Sequence, residues 1–144
     1  MLKDAPEIHA LIDAFASRGL MLPRTVNDIV DNLRDFFVYE DGGRLMGACA
    51  LFLSSAGIGE IRSLVVRGSE TRRGIGTSLV TACLSEARLT GFKQVFALTY
   101  RVEFFTKLGF GIIDKTVLPH KIWRDCERCA RFANCDETAV IIDL

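Results

Sequence analysis

A chain of 144 residues is long enough for one domain with a core of its own, and 49% hydrophobic residues with a mean hydropathy of +0.25 exclude a disordered polymer. Lys+Arg and Asp+Glu both number 18, so the formal net charge is zero and the basic excess of a nucleic-acid binder is missing. No apolar run approaches the ~20 residues of a membrane span, and the N-terminus "MLKDAPEIHA" lacks the apolar stretch of a signal peptide; the expectation is a cytoplasmic protein with no nucleic-acid or membrane partner.

Ile8, Leu11, Ile12 and Phe15 recur at helical spacing and predict a first helix ending near Gly19. Thr25 is placed to cap a second helix, with Asp28 three residues on and Val26, Ile29, Val30 and Leu33 as its buried stripe. "FFVYE", "DGGR" and "LMGACALFL" read as a β-hairpin, and "IGEIRSLVV" as a third strand. After the loop "RGSETRRGIG" a helix runs to about Arg88, with Leu79, Val80, Cys83, Leu84 and Ala87 on one face and Gly91 beyond its end, where a left-handed residue is expected. "QVFALTY" is a fourth strand, "VEFFTKL" a short helix closed by Gly109, and "FGIID" and "TAVIIDL" begin and end the last strands. No linker or repeat interrupts this order, which defines an α+β or mixed α/β sandwich in one domain, residues 1–144.

The junction "TRRGIGT" between the third strand and the long helix has the makings of an anion site. The first N–H groups of a helix have no acceptor inside it, and the positive end of its dipole lies there. Gly74 and Gly76 carry no Cβ, so a phosphate can approach the backbone, and Arg72 and Arg73 add charge. Neither the dinucleotide fingerprint nor the P-loop is present.

Residues Thr71-Arg72-Arg73-Gly74-Ile75-Gly76 resemble the signature [Q/R]-x-x-G-x-[G/A] of the GCN5-related N-acetyltransferase (GNAT) superfamily, with Thr71 departing at the first slot. "FFTKLGF" resembles the later F-Y-x-K-x-G-F segment of that family. The resemblance implies the acyl-CoA N-acyltransferase fold, a central mixed, mostly antiparallel sheet flanked by helices, with acetyl-CoA as cosubstrate and no metal in the chemistry. By it, the amides of Arg72, Arg73, Gly74, Ile75 and Gly76 and the hydroxyl of Thr77 hold the cofactor's diphosphate. Leu64, Val65 and Val66 run along the pantetheine arm, with the Leu64 amide polarising the thioester carbonyl, and Phe105 lies in the cofactor-binding set.

Attack of an amine on a thioester needs a proton acceptor for the amine and a fixed donor for the carbonyl oxygen. Glu60 matches, by its distance from the glycine loop, the base of several GNAT enzymes. The family's tyrosine acid has no counterpart, because its slot holds Phe105; Tyr100 at the end of the fourth strand is the nearest substitute. A thiol of pKa about 8.5 also leaves tolerably as thiolate.

"LMLPRT", "EIRSLVV", "ALTYRVEFFTKLGF" and the tail "LPHKIW…C…C…CDE" together resemble the short, single-domain bacterial N-acetylglutamate synthases. The reaction implied is transfer of acetyl from acetyl-CoA to the α-amine of L-glutamate, in arginine biosynthesis. Arginine forks bind carboxylates in bidentate fashion, which singles out Arg62, Arg24 and then Lys121 as carboxylate clamps. Another amino acid or small amine as acceptor stays open, as do a non-catalytic acyl-CoA sensor and a homodimer. Five cysteines are an odd number, and Cys126, Cys129 and Cys135 with His120 leave open a structural metal beside plain free thiols.

Overall fold

The computed structural model describes residues 2–19, 21, 23–54, 57–68, 74–117 and 137–144. In chain order they form α1 (Ala5–Ala16), α2 (Val26–Asp31), β1 (Phe36–Asp41), β2 (Arg44–Leu53), β3 (Ile58–Val66), α3 (Ile75–Leu89), β4 (Gln94–Thr99), α4 (Val102–Lys107), β5 (Gly111–Ile113) and β6 (Thr138–Asp143). The strands are hydrogen-bonded in the order β1-β2-β3-β4-β6-β5. The β1–β2, β4–β6 and β5–β6 ladders are antiparallel and β3–β4 is parallel, the mixed, mostly antiparallel sheet expected of the α+β class. Contacts divide the chain into two compact units, Met1–Phe52 with Ile61–Glu86 and Leu53–Glu60 with Ala87–Leu144, so β3 and α3 each contribute to both.

In the first unit the hairpin forms as its turn chemistry demands. Asp41 pairs with Arg44 across Gly42-Gly43, both at positive φ, the geometry of a two-residue turn matched to strand twist. A register shift follows: Glu40 pairs with Leu45 but Tyr39 with Gly47, which leaves Met46 as an extra residue in β2. That insertion flips the alternation, so Leu45 and Ala48 share one face while Gly47 and Cys49 share the other. On the first face Leu45, Ala48 and Val65 meet Ile8, Leu11 and Ile12 of α1 and Ile29 of α2, with Phe36 and Val38 packed against them. Each fully buried aliphatic side chain there contributes about 1.5–3 kcal/mol. On the second face lies α3, whose Leu79, Val80, Cys83, Leu84 and Ala87 are all buried, as its periodicity predicts. Arg67, just past β3, holds the bulged strand: its backbone N–H donates to the Met46 carbonyl at 2.8 Å, and its Nε and Nη2 both donate to the Leu45 carbonyl, at 3.1 and 2.9 Å.

Thr25 caps α2 as expected, its Oγ1 accepting from the Asp28 N–H at 3.0 Å. The predicted stripe of that helix is corrected. Ile29 is buried, but Val26 and Val30 are more than a third exposed, and Leu33 lies past the helix in a 3-10 turn, Leu33–Asp35. A helix of six residues has fewer than two turns, which is too short to present four positions to one surface.

In the second unit β4 pairs with β6 from Gln94–Asp143 to Thr99–Thr138. Ile58, Phe96 and Ala139 form its core, with Leu98, Ile113 and Ile141 against them. Phe105 of α4 stacks edge-on with Phe104 and with Phe110, each at 5.1 Å between ring centroids. The β4 strand stops at Thr99, one residue earlier than its apolar run suggests.

Candidate active site

The helix-start site is built by α3. Gly74 sits at φ +73 just before it, a conformation that costs an L side chain energy and glycine almost none. Its carbonyl accepts the first helical bond, from the Ser78 N–H at 3.0 Å, so the N–H groups of Ile75, Gly76 and Thr77 open the helix with no acceptor inside it. Among the described residues, a Cβ built on Gly74 would meet nothing within 4 Å. This arrangement fits an anion such as a diphosphate. The Ile75 side chain is core, 1% exposed, which limits its role to its backbone. Arg72, Arg73 and Thr71 lie outside the described residues, as do Lys121, His120, Cys126, Cys129 and Cys135.

The close seating of α3 depends on Gly47. A Cβ there would lie 3.0 Å from the Val65 carbonyl oxygen and 3.1 Å from both Ile75 Cγ2 and Leu79 Cδ1. Only a residue without a side chain allows β2, β3 and the first turns of α3 to meet at this distance.

On β3, Ser63 has φ +56, in the left-handed region that a strand residue other than glycine rarely occupies. The peptide that follows is turned out of the regular strand orientation, and its N–H belongs to Leu64. Val65 is 2% exposed in the first unit's core, whereas Leu64 and Val66 are half-buried. Glu60 is 9% exposed and stands opposite Phe96 in the last pair of the parallel β3–β4 ladder, in the second unit. That ladder spans three pairs and ends short of the C-terminal ends of both strands, Val66 and Thr99. Tyr100 is 40% exposed past the end of β4, and Phe105 is 3% exposed within the aromatic packing of α4.

The two arginine candidates are brought together in the first unit. Arg24, whose side chain is only 13% exposed, pairs through Nε with Asp28 at 2.6 Å and lies over the Phe36 ring, 4.9 Å from its centroid. Arg62 lies over the Phe52 ring at 4.2 Å. Both guanidiniums act on Asp35: burial pushes its carboxyl above the usual range, while the charges of Arg24 and then Arg62 pull it back. Asp35, Phe36 and Phe52 had no place among the expected site residues. The one sequence signal for them is an arginine inside an apolar strand, which must find a neighbour that tolerates its charge.

Cys49 and Cys83 are buried free thiols with sulfurs 3.7 Å apart. The hydrogen bond shared with Cys83 and burial both push the Cys49 thiol up, so it stays protonated. Among the described residues no group of three or more metal-ligating side chains occurs, and no helix is long and apolar enough to cross a membrane.

A mixed, mostly antiparallel sheet of this order, with Gly74 at positive φ opening the long helix α3, is an acyl-CoA N-acetyltransferase architecture. The chain belongs to the acetyltransferase (GNAT) family, whose pattern matches residues 8–110. An uncharacterized N-acetyltransferase of Chlorobaculum tepidum is 38% identical over 97% of this chain and 90% of its own length. An amino-acid acetyltransferase of Mycobacterium tuberculosis is 31% identical over 83% of this chain and 70% of its own. The crystal structure of N-acetylglutamate synthase from Neisseria gonorrhoeae, complexed with coenzyme A and N-acetyl-glutamate, superposes with a TM-score of 0.88 at 28% identity, covering 98% of this chain and 33% of that one.

Proposed function

We propose that this acetyltransferase moves the acetyl group of acetyl-CoA to the α-amine of L-glutamate. The observation that carries the choice of acceptor is the pair Arg24 and Arg62, two guanidiniums held over aromatic rings in one unit of a chain whose relatives include amino-acid acetyltransferases. Two carboxylates beside an amine match two guanidinium forks. The opening amides of α3, with Arg72, Arg73 and Thr77, take the diphosphate, and Lys121 is a third candidate cation for the acceptor's carboxylates.

In this reading the backbone of Val66 pairs with the pantetheine arm as an added strand would, in keeping with a β3–β4 ladder that stops at Glu60. The turned peptide after Ser63 aims the Leu64 N–H at the thioester oxygen, where negative charge develops as the amine attacks. Glu60 accepts the ammonium proton directly or through water, so that nitrogen presents its lone pair to the carbonyl carbon. Collapse of the tetrahedral adduct expels the thiolate, which Tyr100 can protonate; Phe105 has no proton to give.

Release of CoA thiol, followed over a panel of amino acids, tests the acceptor. Glutamate should be the best substrate and neutral residues poor ones; a neutral or basic amino acid turning over fastest would sink the assignment. Glu60→Gln should lower kcat by about 10²–10⁴-fold, the usual worth of a general base, with KM for glutamate within a few-fold. The opposite pattern, a raised KM with unchanged kcat, would make Glu60 a binding residue.

A further inference from the structure

A bulge leaves its extra residue outside the regular ladder, and buried peptide groups need partners. Leu45 and Met46, at the bulge of β2, are 2% and 6% exposed. Arg67 receives both of their carbonyls. Its backbone N–H donates to the Met46 oxygen at 2.8 Å, while Nε and Nη2 converge on the Leu45 oxygen at 3.1 and 2.9 Å. Such a charge-assisted fork is more usual on a carboxylate or a phosphate. The carboxylate of Glu7 in α1 lies 4.0 Å from Nη2 with half its side chain exposed, so that pair contributes little. The fork is spent on a single peptide group.

That peptide group sits beside the elements that frame the expected diphosphate site. Arg67 directly follows Val66, the last residue of β3. The bulge it holds decides which face of β2 carries Gly47, and α3 rests on Gly47: a Cβ there would lie 3.0 Å from the Val65 carbonyl oxygen and 3.1 Å from both Ile75 Cγ2 and Leu79 Cδ1. Ile75 is the first residue of α3. Direct contacts therefore run from the guanidinium to the Leu45 and Met46 carbonyls, along β2 to Gly47, and on to the first turns of the helix. All of them lie within one compact unit. Packed layers do not deform smoothly, and a slip of one residue in β2 would turn a side chain toward α3 in place of Gly47.

Resting on the reading that puts the diphosphate at the start of α3, we infer that Arg67 is a positioning residue for acetyl-CoA. Its fork holds the β2 bulge, the bulge keeps Gly47 under α3, and the opening amides of the helix thereby stay at a fixed distance from the end of β3. Arg67 acts through the peptide groups of β2 and not by contact with the reacting atoms.

The test compares Arg67→Met with Arg67→Gln in the full-length protein. Both variants lack the charge and keep the side-chain stem. Gln carries a donor nitrogen at the place of arginine Nε, where Met carries a methyl group. Calorimetry gives the dissociation constant of acetyl-CoA. KM for the best amino acid of the panel above, and kcat, are read at saturating acetyl-CoA. Arg67→Met should weaken acetyl-CoA binding by about 5- to 30-fold, within the span of coupling through a packed network. Arg67→Gln should weaken it by about 2- to 5-fold, one neutral donor replacing a charged pair. The acceptor's KM and kcat should stay within about twofold of wild type in both, because only cofactor binding is disturbed. An Arg67→Met protein that melts lower but binds acetyl-CoA as wild type does overturns the inference, since Arg67 would then serve the fold alone. Equal weakening in both variants also overturns it, because the charge and not the donation to Leu45 would be at work. Should Arg67→Met fail to fold, Arg67→Gln decides: wild-type affinity in that protein overturns the inference. Each of these results leaves the diphosphate assignment standing. A folded Gly76→Asp protein with unchanged acetyl-CoA affinity brings down that assignment, and the role of Arg67 with it.

Discussion

Gly76→Asp is expected to abolish acetyl-CoA binding while leaving the protein folded. Gly76 is the second residue of α3, where a carboxylate interacts favourably with the helix dipole by about 0.3–1 kcal/mol, so the fold has no reason to suffer. The same carboxylate would stand among the amides proposed to receive the diphosphate. Two like charges ~4 Å apart near a protein surface repel by about 4 kcal/mol, roughly a thousandfold in affinity. Titration with acetyl-CoA, alongside a thermal melt, checks both halves. Unchanged affinity in a normally folded variant would remove the diphosphate from the start of α3.

Gly47→Val is expected to cost more stability than any other single substitution considered for this chain. Even the Cβ of alanine meets the Val65 carbonyl oxygen at 3.0 Å, and that backbone atom cannot rotate away as a side-chain tip can. Overpacking of this kind costs about 1–3 kcal/mol for alanine, and the two further methyl groups of valine add to it. A loss of 3 kcal/mol lowers the melting temperature of a domain this size by about 6–12 °C. The strain falls on Ile75 and Leu79, which lie in the first turns of α3, so a surviving protein should also bind acetyl-CoA more weakly as the opening amides shift. A variant that melts with wild type would show that α3 can move outward freely, and that its seating against β2 does not govern the site.

How far the molecule could be read in advance depends on the range of the forces involved. The hairpin, the cap at Thr25, the buried face of α3 and the left-handed Gly91 were legible because each follows from residues within a turn or two of one another. Arg24 and Arg62 were legible as candidates because charge beside or inside apolar sequence is conspicuous. Their companions were not. Phe52 and Phe36 meet the arginines only through strand register and helix placement, and nothing local to "CALFL" marks one phenylalanine as a cation's seat. The bulge at Met46 was hidden for a related reason: an inserted residue leaves the apolar run intact and changes only which side each member faces. Ser63 at φ +56 is a third case, since serine carries no signature of left-handed backbone as glycine does. Val26 and Val30 show the reverse error, a helical pattern that the short α2 does not use.

The paired thiols of Cys49 and Cys83 give the fold a built-in gauge. Both sulfurs are buried between β2 and α3 and 3.7 Å apart, so neither meets an alkylating reagent while that layer is closed. Their labelling rate therefore clocks the opening of this one seam, separately from fraying elsewhere. Because the same helix begins at Gly74, a bound ligand at its start should slow that clock, reporting occupancy from the far side of the helix without a reaction being run.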